Sequence, residues 1–180
     1  MQNSSTCLAW SGRWTSGDET LDGKGMVCTL NVSYASGKIA IRVTSAKTKF
    51  CIGVAGYPEK HFEAPNMDTD LKHLKAKVDA GADYIITQMF FDNAKYFEFV
   101  KSCRAIGITV PIIPGLKPIY TKKQLTILPK TFHIDLPAAL SEAVSACKSD
   151  LDVEKIGEAW LLEQSRELKK AGVPVLHYYT

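Results

Sequence analysis

From Phe50 onward the chain alternates between two hydrophobic periods, and this alternation limits its fold more than any other feature. Phe50 to Gly56 is a short apolar run in which Phe50, Ile52 and Val54 alternate with Cys51, Gly53 and Ala55, the pattern of a buried strand. The small residues predict close packing of a helix on their side. After a YPEKHFEAP loop, Asp68 or Thr69 is placed to cap a helix with Leu71, Leu74 and Val78 on one face, and Gly81 provides a left-handed stop. Tyr84 to Phe91, rich in β-branched and aromatic residues, reads as a second strand. Asp92 is placed to cap the next helix, which carries Tyr96, Phe97, Val100 and Cys103 and ends at Gly107. Val110 to Ile113 predicts a third strand, broken at Pro114-Gly115. Strand, helix, strand, helix, strand implies a parallel sheet.

Beyond it the pattern loosens. A helical turn is predicted near Thr121 to Leu128, then a loop through Pro129 and His133, then a helix after Asp135 that holds Pro137 in its first turn and reaches about Cys147. A longer helix starts near Asp150, with Val153, Ile156, Trp160, Gln164 and Leu168 along one stripe, and stops at Gly172. Val173 to Tyr178 predicts a fourth strand. Residues 1 to 49 have another texture, rich in Ser, Thr and Gly, with Trp10 and Trp14, and strand-like only at Met26 to Val32 and Lys38 to Val43. Their glycines read either as hairpin turns or as the composition of a poorly ordered segment. The expected division is therefore an irregular segment, 1–49, and an α/β unit, 50–180.

Composition narrows the function classes. The chain has 180 residues, 46% hydrophobic and 23% charged, as expected of a soluble domain able to bury a core. The small excess of Lys+Arg over Asp+Glu, 22 to 19, is spread along the chain, which argues against nucleic acid as a partner. The sequence holds no apolar run of membrane-spanning length and no secretory signal pattern, so a cytoplasmic protein is expected. The five cysteines, Cys7, Cys28, Cys51, Cys103 and Cys147, are far apart without a CxxC pair, and they read as buried thiols of a reduced compartment, with no metal site.

In parallel α/β architectures ligands bind outside the carboxyl ends of the strands. The side chains there are Tyr57, Glu59 and His61; Gln88 and Asp92; Lys117 and Gln124; and His177 with Tyr178. They contain no Ser-His-Asp order, glycine-rich phosphate loop or clustered metal ligands. Aromatics, amides and a few charges suit a large planar heterocycle that carries its own chemistry. Each also has a plain structural alternative: Tyr57 shapes a turn before Pro58, His61 is a solvated loop residue, and Gln88 satisfies backbone groups at a strand end. Lys77, on an amphipathic helix, reads as solvated surface.

The blocks VAGYPEKH, KVDAGADYIITQMFFD, VPIIPGLKP and GVPVLHYYT, ordered over residues 48 to 180, closely resemble the methylenetetrahydrofolate reductase family. The resemblance implies a (β/α)8 TIM-barrel fold present as about its last four β/α units. It implies FAD as cofactor, NADH or NADPH as hydride donor and a folate substrate, with reduction of 5,10-methylenetetrahydrofolate to 5-methyltetrahydrofolate. By resemblance, Tyr57, His61, Ala64, Asp70, His73 and Lys77 stand at FAD-contacting positions, Lys77 being suited to the diphosphate charge. Gln88 matches a glutamine that contacts the pterin ring, Gln124 a second substrate-binding glutamine, and Leu128 a position where some members pack an aromatic ring on the ligand.

The chain also departs from the family. The family's proton-donating glutamate, at the end of the first barrel strand, and its aspartate after the fourth strand have no recognisable counterparts in residues 1–49. Gly17-Asp18 resembles the aspartate loop only as a dipeptide, and no catalytic residue is assigned. The change in texture near Phe50 reads as a truncated or rearranged reading frame, and the chain stops at Thr180 just before the family's substrate-binding arginine. Four strands leave open edges that pair with another copy, borrow strands from residues 1–49, or stay exposed. Two functions are therefore expected in competition: the flavin-dependent reductase, and a catalytically incompetent remnant that binds flavin or folate or self-associates.

Overall fold

In this computed structural model the described residues are Cys7–Leu8, Cys28–Val32 and Ile39–Val43, by their backbone, and 51 to 180. In chain order the elements are β1 (Cys7–Leu8), β2 (Cys28–Val32), β3 (Ile39–Val43), β4 (Cys51–Gly56), α1 (Met67–Asp79), β5 (Tyr84–Met89), α2 (Asn93–Ala105), β6 (Ile112–Leu116), α3 (Gln124–Phe132), α4 (Ala138–Ala146), α5 (Asp150–Lys170) and β7 (His177–Tyr178). Four strands with their intervening helices form the expected parallel sheet, β4-β5-β6-β7, an open part of a (β/α)8 arrangement. β1 adds a short parallel strand at the β4 edge, Cys7 opposite Cys51 and Leu8 opposite Ile52. One edge thus borrows backbone from the N-terminal segment. β2 and β3 pair as an antiparallel ribbon of their own, within the two stretches expected to be strands. Trp10 and Trp14, the glycine turns, Gly17-Asp18 and Phe50 lie outside the described residues.

The helices pack on the side opposite to the one the small residues predict. Val54, Ile85, Ile112 and Leu116 join Leu71 and Leu74 of α1, Phe99 and Cys103 of α2 and Leu168 of α5 in one cluster. A Cβ on Gly56 would lie 2.9 Å from the Phe99 ring, so this glycine admits α2. Gly53 faces the other way, where the Tyr84 ring fills its space at 2.3 Å from a built Cβ. By strand alternation Ala55, Ile86, Gln88 and Ile113 share that helix-free face, and all are half-buried.

Several boundaries move for identifiable reasons. α1 is capped by Asn66, whose side chain accepts the Thr69 N–H at 2.8 Å, instead of by Asp68 or Thr69; the earlier start places Asp68 and Asp70 in the first turn, where the helix dipole favours them. β6 runs through Pro114-Gly115 instead of breaking there. The ladder to β5 is irregular at this point, and the Thr87 hydroxyl accepts the Gly115 N–H at 2.9 Å, which is how an interior strand tolerates proline. α3 includes Pro129 and ends at His133, in the left-handed conformation at φ 54°. β7 is shorter than predicted because the backbone before it is held by α5: the Val173 N–H reaches Leu168 and the Pro174 carbonyl accepts Lys169.

α5 is fastened across the end of β5 by polar bonds. Gln164 donates to Phe90 O and Asn93 Oδ1, Asn93 donates to Gln164 O and Glu167, and Trp160 donates to Phe91 O at 3.0 Å. Gly157, on the same helix, touches backbone: a Cβ there would lie 1.9 Å from Ile119 O. Gly157→Ala is therefore expected to destabilise the chain by roughly 2 kcal/mol, read from urea unfolding. A midpoint equal to that of the wild type would contradict this packing.

Candidate functional site

The rim at the carboxyl ends of β4, β5 and β6 gathers part of the predicted set. Tyr57 follows β4 and is half-buried, its ring meeting the His61 ring edge-on at 4.6 Å. Lys60 takes a positive φ of 75°, and its ammonium bonds His61 O and Ala64 O. The loop is thereby wound tightly over the start of α1. Gln88 lies on the helix-free face, its Oε1 accepting the Met89 N–H at 3.0 Å, so part of this amide does serve the strand end. Tyr57 to Lys60, Gln88, Met89 and Phe132 to Ile134 enclose a crevice of about 10 Å³, room for about one water. A wider cleft of about 580 Å³ lies between α5 and β7, lined by Ser165, Arg166, Lys169, Leu176 and Tyr178; of the strand-end candidates it contains Tyr178 alone.

Burial separates the remaining candidates from the rim. His61, Ala64, Asp70 and Lys77 are all buried, and His73 is half-buried. Asp70 accepts the His61 N–H at 2.9 Å, which joins the loop to α1. Lys77 is not a solvated surface residue: Asp70, Leu71, Leu74 and Lys77 form the inward stripe of α1. Burial pulls its ammonium down to about 8, against the attraction of Asp70. Burial also lowers the His61 imidazole, opposed by Asp70 and Glu63. Gln124, on α3, accepts the Tyr120 and Thr121 N–H groups and so closes its own turn. Leu128 is buried in a second cluster with Met89, Phe91 and Ile119. Asp92 caps α2 through the Ala94 N–H.

At the far strand the helix-free face carries His177 and Tyr179, whose rings meet edge-on at 4.6 Å. Tyr178 points the other way, its hydroxyl 3.0 Å from Ser165 Oγ on α5. Tyr179 crosses Gly115, where a Cβ would come within 2.6 Å of its ring, and donates to Thr87 O at 2.9 Å. Burial, with Tyr57 nearby, pushes its phenol to about 12. Period-two counting from His177 points to Tyr179, not Tyr178, as its neighbour on this face. Glu59 binds Asp135 and Lys95, two residues distant in sequence that no local pattern joins to it.

A family model described as methylenetetrahydrofolate reductase matches residues 16–180. The chain belongs to the methylenetetrahydrofolate reductase family. The match takes in part of the segment before Phe50, ahead of the motif run at residue 48. A probable methylenetetrahydrofolate reductase (NADPH) of Caenorhabditis elegans is 42% identical over 73% of this chain and 20% of that protein. The 5,10-methylenetetrahydrofolate reductase of Escherichia coli is 38% identical over 82% of this chain and 49% of that protein. The chain thus spans half or less of the length of these relatives. A solved structure from Clostridium thermocellum, described as an uncharacterized protein that binds two copies of 5-methyl-5,6,7,8-tetrahydrofolic acid, aligns with a TM-score of 0.50 at 20% identity, covering 73% of this chain and 48% of that one; it supports the fold.

The buried Lys77 gives a pH signature. Its ammonium sits near 8 in the folded chain against an ordinary 10.5, so the unfolded chain binds the proton more readily between those values, and stability rises with pH across that window. The penalty, about 3 kcal/mol for this group, is in full force below pH 8. Relative to Lys77→Met, wild-type stability should climb from pH 8 to 10.5 in urea titrations. Parallel pH profiles would contradict the burial.

Proposed function

We propose that the chain takes part in flavin-dependent reduction of 5,10-methylenetetrahydrofolate with NADH or NADPH, its helix-free face forming one wall of the flavin and folate site. The observation that carries this reading is the placement of Gln88 beside Tyr57 at the carboxyl ends of adjacent parallel strands, in a chain of this family. The Escherichia coli relative named for this reaction and the tetrahydrofolate ligand of the Clostridium neighbour support the substrate class.

The donor set fits FAD chemically. Tyr57 offers an aromatic edge on the helix-free face, and Lys77 is a cation beneath the loop, of the sign that a diphosphate pairs with. His61, Asp70 and Ala64 shape the loop over that cation, and His73 flanks it. Bound flavin supplies the hydride chemistry. The chain's part is to hold the ring and to orient the folate through Gln88. Gln124, engaged with its own turn, would turn toward substrate only by releasing the Tyr120 and Thr121 N–H groups.

A second reading is favoured by the open sheet: among the described residues β7 pairs with β6 alone, which leaves that edge without a further strand. A chain in this state binds flavin or folate, or associates with itself, without turnover. Absorbance and solution mass on one preparation separate the two. Near-stoichiometric flavin that bleaches with NADH supports the reductase, and a colourless assembly that binds 5-methyltetrahydrofolate supports the binding reading. Under either, Gln88→Leu should weaken 5-methyltetrahydrofolate by about tenfold. Unchanged affinity in calorimetry would remove Gln88 from the site.

A further inference from the structure

The two carboxylate oxygens of Glu59 are in different situations. Oε2 accepts the Asp135 backbone N–H at 2.6 Å and the Lys95 ammonium at 3.1 Å. Lys95 also pairs with the Asp135 carboxylate at 2.6 Å, so the acid is fixed from two elements. Oε1 is buried and makes no hydrogen bond. The side chain is only 9% exposed, so bulk water does not serve that oxygen. A buried acceptor left in this state is costly, and more so when it is charged. Holding one oxygen and leaving the other bare presents an acceptor whose orientation is already settled before a ligand arrives.

Glu59 lines the crevice that Gln88 also lines. Because Gln88 Oε1 is occupied by the Met89 N–H, the amide NH2 is its remaining polar group. The crevice therefore offers one acceptor and one donor. Their complement is the edge of a planar ring in which an N–H adjoins a carbonyl, an edge common to the pterin of folates and the isoalloxazine of flavins. At about 10 Å³, room for about one water, the crevice admits an edge atom of such a ring in the place of that water and leaves the ring body outside.

We propose that Glu59 is a ligand-binding residue whose Oε1 accepts the N–H of the pyrimidinone edge of a bound heterocycle, with the Gln88 amide facing the adjacent carbonyl. The inference rests on the folate and flavin reading above and adds to it a residue that fixes the orientation of the ring.

Glu59→Gln tests this with little change in size. The Asp135 N–H and Lys95 demand an oxygen at the Oε2 position, so the new amide places its NH2 where Oε1 stood and turns an acceptor into a donor. The full chain is titrated by calorimetry with 5-methyltetrahydrofolate and, separately, with FAD. The wild type is expected to bind at least one. The variant should lose about tenfold or more for the one whose edge Glu59 reads, with circular dichroism unchanged. Variant affinities within about twofold of the wild type for both ligands would overturn the inference and leave the folate and flavin reading standing. A wild type that binds neither overturns both. Should the variant unfold, deletion on the ligand side replaces it. Methylating the ring N–H, 3-methyllumiflavin against lumiflavin and 3-methylpterin against pterin, should weaken binding to the wild type about tenfold in one pair. Equal affinities in both pairs would refute the role of Glu59.

Discussion

Everything in this molecule depends on which side of the parallel sheet the helices cover. Residues such as Val54, Ile85, Ile112 and Leu116 bury against α1, α2 and α5, and a β-strand cannot send one alternate set to a core without sending the other set to the opposite face. That single constraint puts Tyr84, Ile86, Gln88 and Ile113 on the helix-free face, where they are half-buried, and brings Tyr57 and Tyr179 to its carboxyl end. Gly56 and Gly115 serve opposite sides of the same plan: the first admits Phe99 from a helix, and the second lets Tyr179 lie across the sheet.

The rim is held by polar contacts between segments far apart in sequence. Gln164 and Asn93 join α5 to the end of β5, while Glu59, Lys95 and Asp135 join the loop after β4 to α2 and to the segment before α4. These bonds satisfy backbone groups where the strands stop, the place where a parallel sheet would otherwise expose them. Two buried oxygens among these groups, Glu59 Oε1 and Gln164 Oε1, have no partner. Only the first belongs to a residue lining the crevice.

Much of the architecture was legible because it follows local periodicity. The strands β4 and β5, the cap at Asp92, the stripe of α5 and the stop at Gly172 fall where alternation and capping place them. Sides and partners do not follow from local periodicity. The small residues of β4 suggest the helix face, yet Gly53 lies under Tyr84. Lys77 looked like surface because lysine usually is, yet the inward stripe of α1 has Asp70 near one end and Lys77 near the other. Tyr178 was favoured over Tyr179 because the register of β7 is set by pairing with Gly115 and Leu116, which a terminal two-residue strand does not announce.

By itself the sequence determined the parallel α/β class, the order of the elements and the family, since these rest on periods, caps and motif spacing carried within short stretches of chain. Tertiary structure decided which face of the sheet is open, which of the rim side chains are buried as struts and which still present a polar group. The physical reason is that burial and hydrogen-bond satisfaction belong to pairs of residues. Glu59, Lys95 and Asp135 become one group only when the strands have been laid side by side.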